Sequence, residues 1–374
     1  MRRVFHRLLR DGVPVALLAM VVQRRLPRAR QGAGLALLGF WSLLYARYRR
    51  NSLSLTAHEH ELMRTSTREA YKRHYNERVP TIEEEFDLWG RYHQHRHEMR
   101  YDLVADAARA RLPRGGTLLD IGCGSALVAD RLDDLDARYL GLDYGGHHIG
   151  YAASKYRERD SRLSAAFLHG AAEQLPLRDA TVDVVVFTEV IEHLVRPELA
   201  VWEISRVLRP GGALVLTTNN ASQMPLVPPT TNPFAWLEQA VGAHHKELIT
   251  RRPWVWPEPV DADLLPPGSP PVYLPHTWHI QDETRELLAA AGLSVAVFRT
   301  FEFPPPESAT SAFLERRGDA GRRAVDAIEA VMTRVPLVNR LGCHLLLVAT
   351  KVGEPIAADP PPGVWPGPFS PQPV

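Results

Sequence analysis

Cysteine is scarce: Cys123 and Cys343 are the two in 374 residues. That number excludes a disulfide framework and a cysteine-rich metal site. Both lie in or beside apolar strand-like segments, as buried reduced thiols do. Long apolar runs are also missing. The runs Val13–Val22 and Gly32–Ala46 fall short of the roughly 20 residues that span a bilayer. Charge of one sign is lacking too, with 44 basic against 43 acidic residues and a formal net charge of +1. Such a balance argues against a chain devoted to nucleic acid, although a local basic surface stays open.

The even balance hides an asymmetric start. Residues 1–50 hold eleven arginines and one acid, Asp11. A basic start before an apolar run resembles a secretory signal, but no small-residue cleavage pattern follows. An organellar transit peptide has the same Arg-rich, acid-poor character. Three readings of this leader stand side by side. It packs as helices on the enzyme or on a second copy, making a homo-oligomer; it lies in a membrane interface with its arginines near anionic headgroups; or it is disordered or not truly coding. The expected location is cytoplasmic, with peripheral membrane association left open.

Residues 51–100 are polar and histidine-rich, expected as a helical cover anchored by Phe86, Trp89 and Tyr92. His93, His95 and His97 alternate, which on a helix spreads them around the axis and builds no ligand face, so they read as surface residues. From Tyr101 helix and strand alternate. Helices are expected at Tyr101–Leu112, Leu127–Leu132, Asp282–Ala291 and Arg317–Thr333, with another opened by Pro197 and closed by Arg209-Pro210-Gly211-Gly212. Strands are expected at Thr117–Ile121, Arg138–Leu142, Ser164–Leu168, Val182–Phe187, Ala213–Thr218, Val295–Phe298 and Leu341–Thr350. Runs apolar on both faces belong in a parallel sheet covered by helices on each side.

The fold class is therefore α/β: a Rossmann-like, seven-stranded, mostly parallel sheet. Residues 101–222 form the cofactor-binding core and 281–352 its remainder. Residues 223–280, rich in proline and tryptophan, form an insertion unsuited to a regular core element and suited to covering a substrate. The tail, 353–374, contains eight prolines and reads as disordered or extended.

The sharpest motif is Leu118-Leu119-Asp120-Ile121-Gly122-Cys123-Gly124-Ser125-Ala126, an apolar strand running into a small-residue turn. Gly122 and Gly124 remove side chains that would hold a ligand off the backbone. Asp143 ends the second strand 21 residues after Gly122, in reach of a ribose diol whose hydroxyls its carboxylate accepts. A dinucleotide fold would carry the same acid.

These blocks, in this order, resemble the Rossmann-like class I S-adenosyl-L-methionine-dependent methyltransferases over roughly Tyr101–Phe298, with a last strand near Leu341–Thr350. The resemblance implies that Asp120, Gly122, Cys123 and Gly124 wrap the amino-acid portion of the cofactor. It also implies that Asp143 binds the ribose and that Tyr144 lies beside the adenine. Gly170–Leu177 resembles the adenine-side loop, placing Ala171 and Ala172 there. Ala171 stands where the family commonly has aspartate, and Ala126 where a third glycine is common.

Methyl transfer from a sulfonium needs alignment, exclusion of water and, for a hydroxyl acceptor, a base. Thr188-Glu189-Val190-Ile191-Glu192-His193 follows the fourth strand and resembles a block of quinone-biosynthetic O-methyltransferases and small-RNA 2'-O-methyltransferases. In some relatives its acids and histidine hold a divalent metal. Were the segment helical, Glu189, Glu192 and His193 would converge, and a magnesium ion there would activate a hydroxyl; the full ligand set is not visible, so no metal ligand is assigned. The candidate catalytic residues are His193, Glu189, His276 and His279, with Glu189 also a cofactor contact. Asn219 and Asn220 follow the fifth strand and can orient an acceptor. The expected activity is methylation of a small molecule, at oxygen before nitrogen or carbon, with no nucleic-acid partner. The rivals are an RNA 2'-O-methyltransferase and a non-catalytic cofactor-binding interaction protein.

Overall fold

A computed structural model describes residues 74–75, 91–194, 196–220, 254–259, 267–268, 273–279, 281–303, 316–335 and 338–355. The leader at 1–50, Phe86 and Trp89, and the proline-rich tail lie outside the described residues.

Alternate side chains of a strand face opposite ways, so a run apolar at every position can feed two cores at once. β4 (Val182–Thr188) does this: Val184 and Val186 enter one core, Val185 and Phe187 the other. β5 (Leu208–Asn219) repeats the pattern, with Val215 in the first core and Leu214 and Leu216 in the second. Helices α1 (Arg91–Arg109), α2 (Leu127–Asp130) and α3 (Gly146–Arg157) cover the first face through Val104, Ala108, Val128 and Ala152. Helices α4 (Pro197–Val207) and α5 (Gln281–Ala290) cover the second through Val201, Ile204, Leu287 and Leu288.

The remaining strands of the sheet are β1 (Thr117–Ile121), β2 (Ala137–Asp143), β3 (Leu163–His169), β8 (Leu293–Phe301) and β9 (His344–Lys351). Their order is β3-β2-β1-β4-β5-β9-β8. The first five run parallel, and β9 is antiparallel to both β5 and β8. The chain winds outward from β1 to β3 and then returns to place β4 on the other side of β1. That reversal opens a crevice at the strand ends, the place where open α/β sheets bind ligands. The seven-stranded, mostly parallel sheet agrees with the expectation from sequence.

Several boundaries differ for identifiable reasons. α1 begins at Arg91, ten residues before the expected start, because its first turns carry buried charge as well as apolar side chains. β5 starts at Leu208: Leu208 pairs with Val182 and Ala213 with Val184, so Arg209-Pro210-Gly211-Gly212 bulges out of the ladder opposite Asp183. The insertion at 223–280 does contain regular structure, an antiparallel pair of β6 (Trp254–Pro259) and β7 (Tyr273–Trp278). A two-stranded ribbon tolerates prolines that a central strand could not, because its outer edges need no partner. α6 (Asp319–Met332) matches the expected helix before the last strand. No helix among the described residues is long and apolar enough to cross a membrane.

Candidate active site at the strand ends

The glycine turn joins β1 to α2. Gly122 has φ +71°, and a Cβ there would lie 2.2 Å from Cγ2 of Val190. The close approach that glycine permits at this position is therefore that of the segment after β4. Gly124, at φ +48°, differs: a Cβ there would meet nothing within 4 Å among the described residues, so its backbone borders open space there. The N–H groups of Gly122 and Cys123 donate to Leu142 O at 2.7 and 3.1 Å, tying the turn to the end of β2.

Asp143 closes the same corner. Its Oδ2 accepts from Gly124 N at 2.8 Å and its Oδ1 from Gly145 N at 2.7 Å, with His148 Nδ1 3.4 Å from Oδ1. Oδ2 keeps a further lone pair for a ribose hydroxyl. Tyr144 is half-buried, and its carbonyl lies 2.9 Å from His169 Nε2. Ala171 and Ala172 follow β3, the second of them buried. Ser125 Oγ and Thr188 Oγ1, buried where the crevice meets β1 and β4, have no hydrogen-bond partner among the described residues. Open space at Gly124, a carboxylate with a spare lone pair and two orphaned hydroxyls fit a polar nucleoside ligand.

Two expected cofactor residues turn inward instead. Asp120 is 2% exposed and accepts from the Tyr139 hydroxyl at 2.6 Å. Burial pushes its carboxyl up to about 7, against the lowering pull of that hydroxyl. Cys123 Sγ packs where a Cβ on Gly141 would be, 2.9 Å away, so only the backbone of Cys123 is available to the crevice. Strand alternation decides both cases.

The segment after β4 is helical only in part. Glu189 has φ +53°, uncommon for a residue with a side chain, and the helical turn is limited to Ile191–His193. Glu189 accepts from Thr217 Oγ1 at 2.8 Å, while Glu192 accepts from Thr218 Oγ1 at 3.0 Å. Successive residues of β5 face opposite ways, so the two carboxyls lie on opposite sides of the strand. Glu189, Glu192 and His193 therefore do not converge as a magnesium site requires. Among the described residues no group of three or more His, Cys, Asp or Glu side chains could hold a metal ion.

Glu189 belongs to a buried ionic network absent from the sequence reading. Its Oε2 lies 3.4 Å from Arg100 Nη1 and 3.1 Å from His344 Nε2. Arg100 donates twice to Glu302 Oε1, at 3.0 and 2.7 Å, and His344 Nδ1 is 3.0 Å from Glu302 Oε2. Glu302, like Glu189, follows a strand end at positive φ, here +67°. Burial alone would raise the Glu189 carboxyl, but the charges of Arg100 and His344 outweigh it and hold the group far below the usual carboxylate range. Glu189 is thus a fixed anion and a poor base near neutral pH, which revises its expected part in proton removal. Burial and the charge of Glu189 together drive Glu192 well above the usual range.

Signals for this network were partly available. Arg96, Arg100, Val104 and Ala108 repeat every four residues, so the two arginines continue the apolar stripe of α1 into the core. Nothing local marks Glu302 or His344, which meet Glu189 only through the order β4-β5-β9-β8. The histidines at the start of α1 are also more than surface residues. His95 Nε2 lies 2.8 Å from Asp326 Oδ1, and burial beside Arg100 lowers His97 to about 3.

β7 brings two of the expected histidines to the crevice. His276 is half-buried; Asn219 Nδ2 donates to its Nε2, and its ring stands edge-on to His193 with centroids 4.7 Å apart. Tyr75 reaches His193 from the other side, at 6.0 Å between centroids. His279 is fully buried, and burial lowers it to about 3. It cannot touch an acceptor. Its backbone N–H donates to Asn219 O at 3.2 Å.

Residues 119–216 match the family model described as a methyltransferase domain. A probable S-adenosylmethionine-dependent methyltransferase of Mycolicibacterium smegmatis is 38% identical over 142 residues, 38% of this chain and 49% of that protein. A ubiquinone biosynthesis O-methyltransferase of Agrobacterium fabrum is 29% identical over 157 residues, 41% of this chain and 59% of that protein. The chain thus spans about half the length of these curated relatives. A solved SAM-dependent methyltransferase of Methanosarcina mazei is 18% identical, covering 66% of this chain and 97% of that one, with a TM-score of 0.42.

Proposed function

We propose, starting from a chain whose residues 119–216 form a methyltransferase domain, that it transfers the methyl group of S-adenosylmethionine to a hydroxyl oxygen of a small, partly apolar molecule. One observation carries the reading. A Cβ on Gly122 would lie against Val190, so the Glu189–His193 segment packs on the glycine turn, which supports His193 working beside the donor. The O-methyltransferase relative supports oxygen as the acceptor atom.

Bound S-adenosylmethionine supplies an electrophilic methyl on a sulfonium whose thioether leaves without an acid. The Gly124 backbone, the Asp143 carboxylate, Tyr144 and the Ala171-Ala172 loop would hold it. His193 takes the proton of the acceptor hydroxyl as that oxygen forms its bond to carbon. Glu189 stays ionised and takes no proton.

His193→Gln is expected to slow methyl transfer to a hydroxylated acceptor by about 100-fold or more while S-adenosylhomocysteine binds as in the wild type. Wild-type turnover in H193Q removes the base. Asp143→Ala is expected to weaken S-adenosylhomocysteine by calorimetry; unchanged affinity removes the ribose contact.

A further inference from the structure

The insertion hairpin holds more of the reacting centre than a cover needs to. His276 and His279 lie three residues apart on and just after β7; the first packs on the Ile191–His193 turn and the second is tied to the end of β5. His279 is fully buried and donates its backbone N–H to Asn219 O at 3.2 Å. His276 packs edge-on against the ring of His193. Both are tied to one residue, since Asn219 donates through Nδ2 to the His276 ring and accepts the His279 backbone N–H through its carbonyl. A bridge between Asn220 and His279 continues this junction, and Asn220 Nδ2 donates to Gly342 O at 2.7 Å.

The direction of the Asn219 bond has a chemical consequence. With Nδ2 of Asn219 turned to the ring, the amide donates and Nε2 of His276 accepts, which places the ring proton on Nδ1. One side-chain amide at the end of β5 therefore selects both the rotamer and the tautomer of the imidazole facing His193. A neutral ring of fixed tautomer presents a fixed dipole and edge to its neighbour, whereas one free to exchange tautomers does not.

We propose that Asn219 and His276 are positioning residues for His193: Asn219 holds His276 as the Nδ1–H tautomer, and that ring fixes the orientation of His193 against the glycine turn. The hairpin β6–β7 is then a working part of the reaction centre, with His279 anchoring it. This rests on His193 being the base, but its own test does not.

Asn219→Asp keeps the shape of the side chain and reverses the hydrogen bond, because a carboxylate only accepts. Uniform 15N labelling of histidine in the full chain, bound to S-adenosylhomocysteine, reads the tautomer of each ring directly; H276F and H193Q assign the signals. The wild type is expected to show His276 protonated on Nδ1. In N219D that proton is expected to move to Nε2, and the ring signals of His193 to shift with it. Turnover with catechol as acceptor is expected to fall about 10- to 100-fold, in kcat and not KM, as misplacement of a reacting group does. Should N219D not fold, Asn219→Ser, which leaves His276 free to exchange, is expected to give His276 in both tautomers and the same displaced His193 signals. His193 signals unmoved in N219D or N219S overturn the proposal, as does His276 protonated on Nε2 in the wild type. The base reading fails separately, through wild-type turnover in H193Q while the Asn219 variants still shift the His193 signals.

Discussion

At the scale of single residues, the two glycines of the turn separate two reasons for lacking a side chain. At Gly122 a Cβ meets Val190 at 2.2 Å, and that contact joins the turn to the reacting segment. Gly122→Ala is expected to destabilise the fold by about 1–3 kcal/mol, since neither the φ nor the neighbour can give cheaply. Gly124→Ala meets nothing within 4 Å among the described residues, so beyond a backbone penalty of about 1–2 kcal/mol its loss should fall on S-adenosylhomocysteine affinity. Urea melts and calorimetry on the pair check this; equal affinity in both variants would deny the open space beside Gly124 to the ligand. Sequence alone marked both glycines but gave them one role, because Val190 is distant in the chain. Asp120 and Cys123 show the same limit. Membership of the motif was legible, but which side chains turn inward depends on strand alternation against partners the motif does not name.

At the scale of elements, α1 is more than a cover. Its buried arginines reach the ends of β4, β8 and β9, and Arg96 Nη1 lies 3.7 Å from Glu329 of α6. Glu329 in turn accepts the N–H groups of Glu302 and Phe303 at 3.1 and 2.9 Å, satisfying backbone donors past the end of β8. Removing one member strands the rest in a medium that solvates charge poorly. Arg100→Met is expected to cost about 3–5 kcal/mol, and Arg100→Met with Glu302→Gln to recover part of it, as measured by urea unfolding. A single variant as stable as wild type would mean that the network is solvated. The two glutamates at positive φ belong to this arrangement. Extended or helical backbone would carry their carboxylates elsewhere, and the paired cations offset the strain.

At the scale of the whole molecule, two buried histidines set opposite limits on stability. His344 is raised to about 9: burial and Arg100 lower it, but Glu189 and Glu302 prevail. Its folded value lies above the unfolded one, so its stabilisation is complete below about 6.5 and is lost as pH rises through 9. His279 is held near 3 by burial, so its contribution is present above about 6.5 and is lost as pH falls towards 3. Stability is expected to be greatest near neutral pH and to decline on both sides. His344→Gln should flatten the alkaline decline and His279→Gln part of the acid one, which it shares with His97, also lowered to about 3, read as urea midpoints across pH; an alkaline limb unchanged in H344Q would remove His344 as its cause.

What the chain order alone determined was the sheet and the glycine turn at its strand ends. Hydrophobic periodicity, the glycine turn and an acid after the next strand are local patterns, and local patterns survive without knowledge of neighbours. Tertiary structure decided which groups act together. Glu189 met Arg100, Glu302 and His344 across four strand ends, while Asn219 met His276 across an insertion. Ion pairs and hydrogen bonds between such positions act over a few ångströms of space, whatever the sequence separation, so no spacing along the chain encodes them.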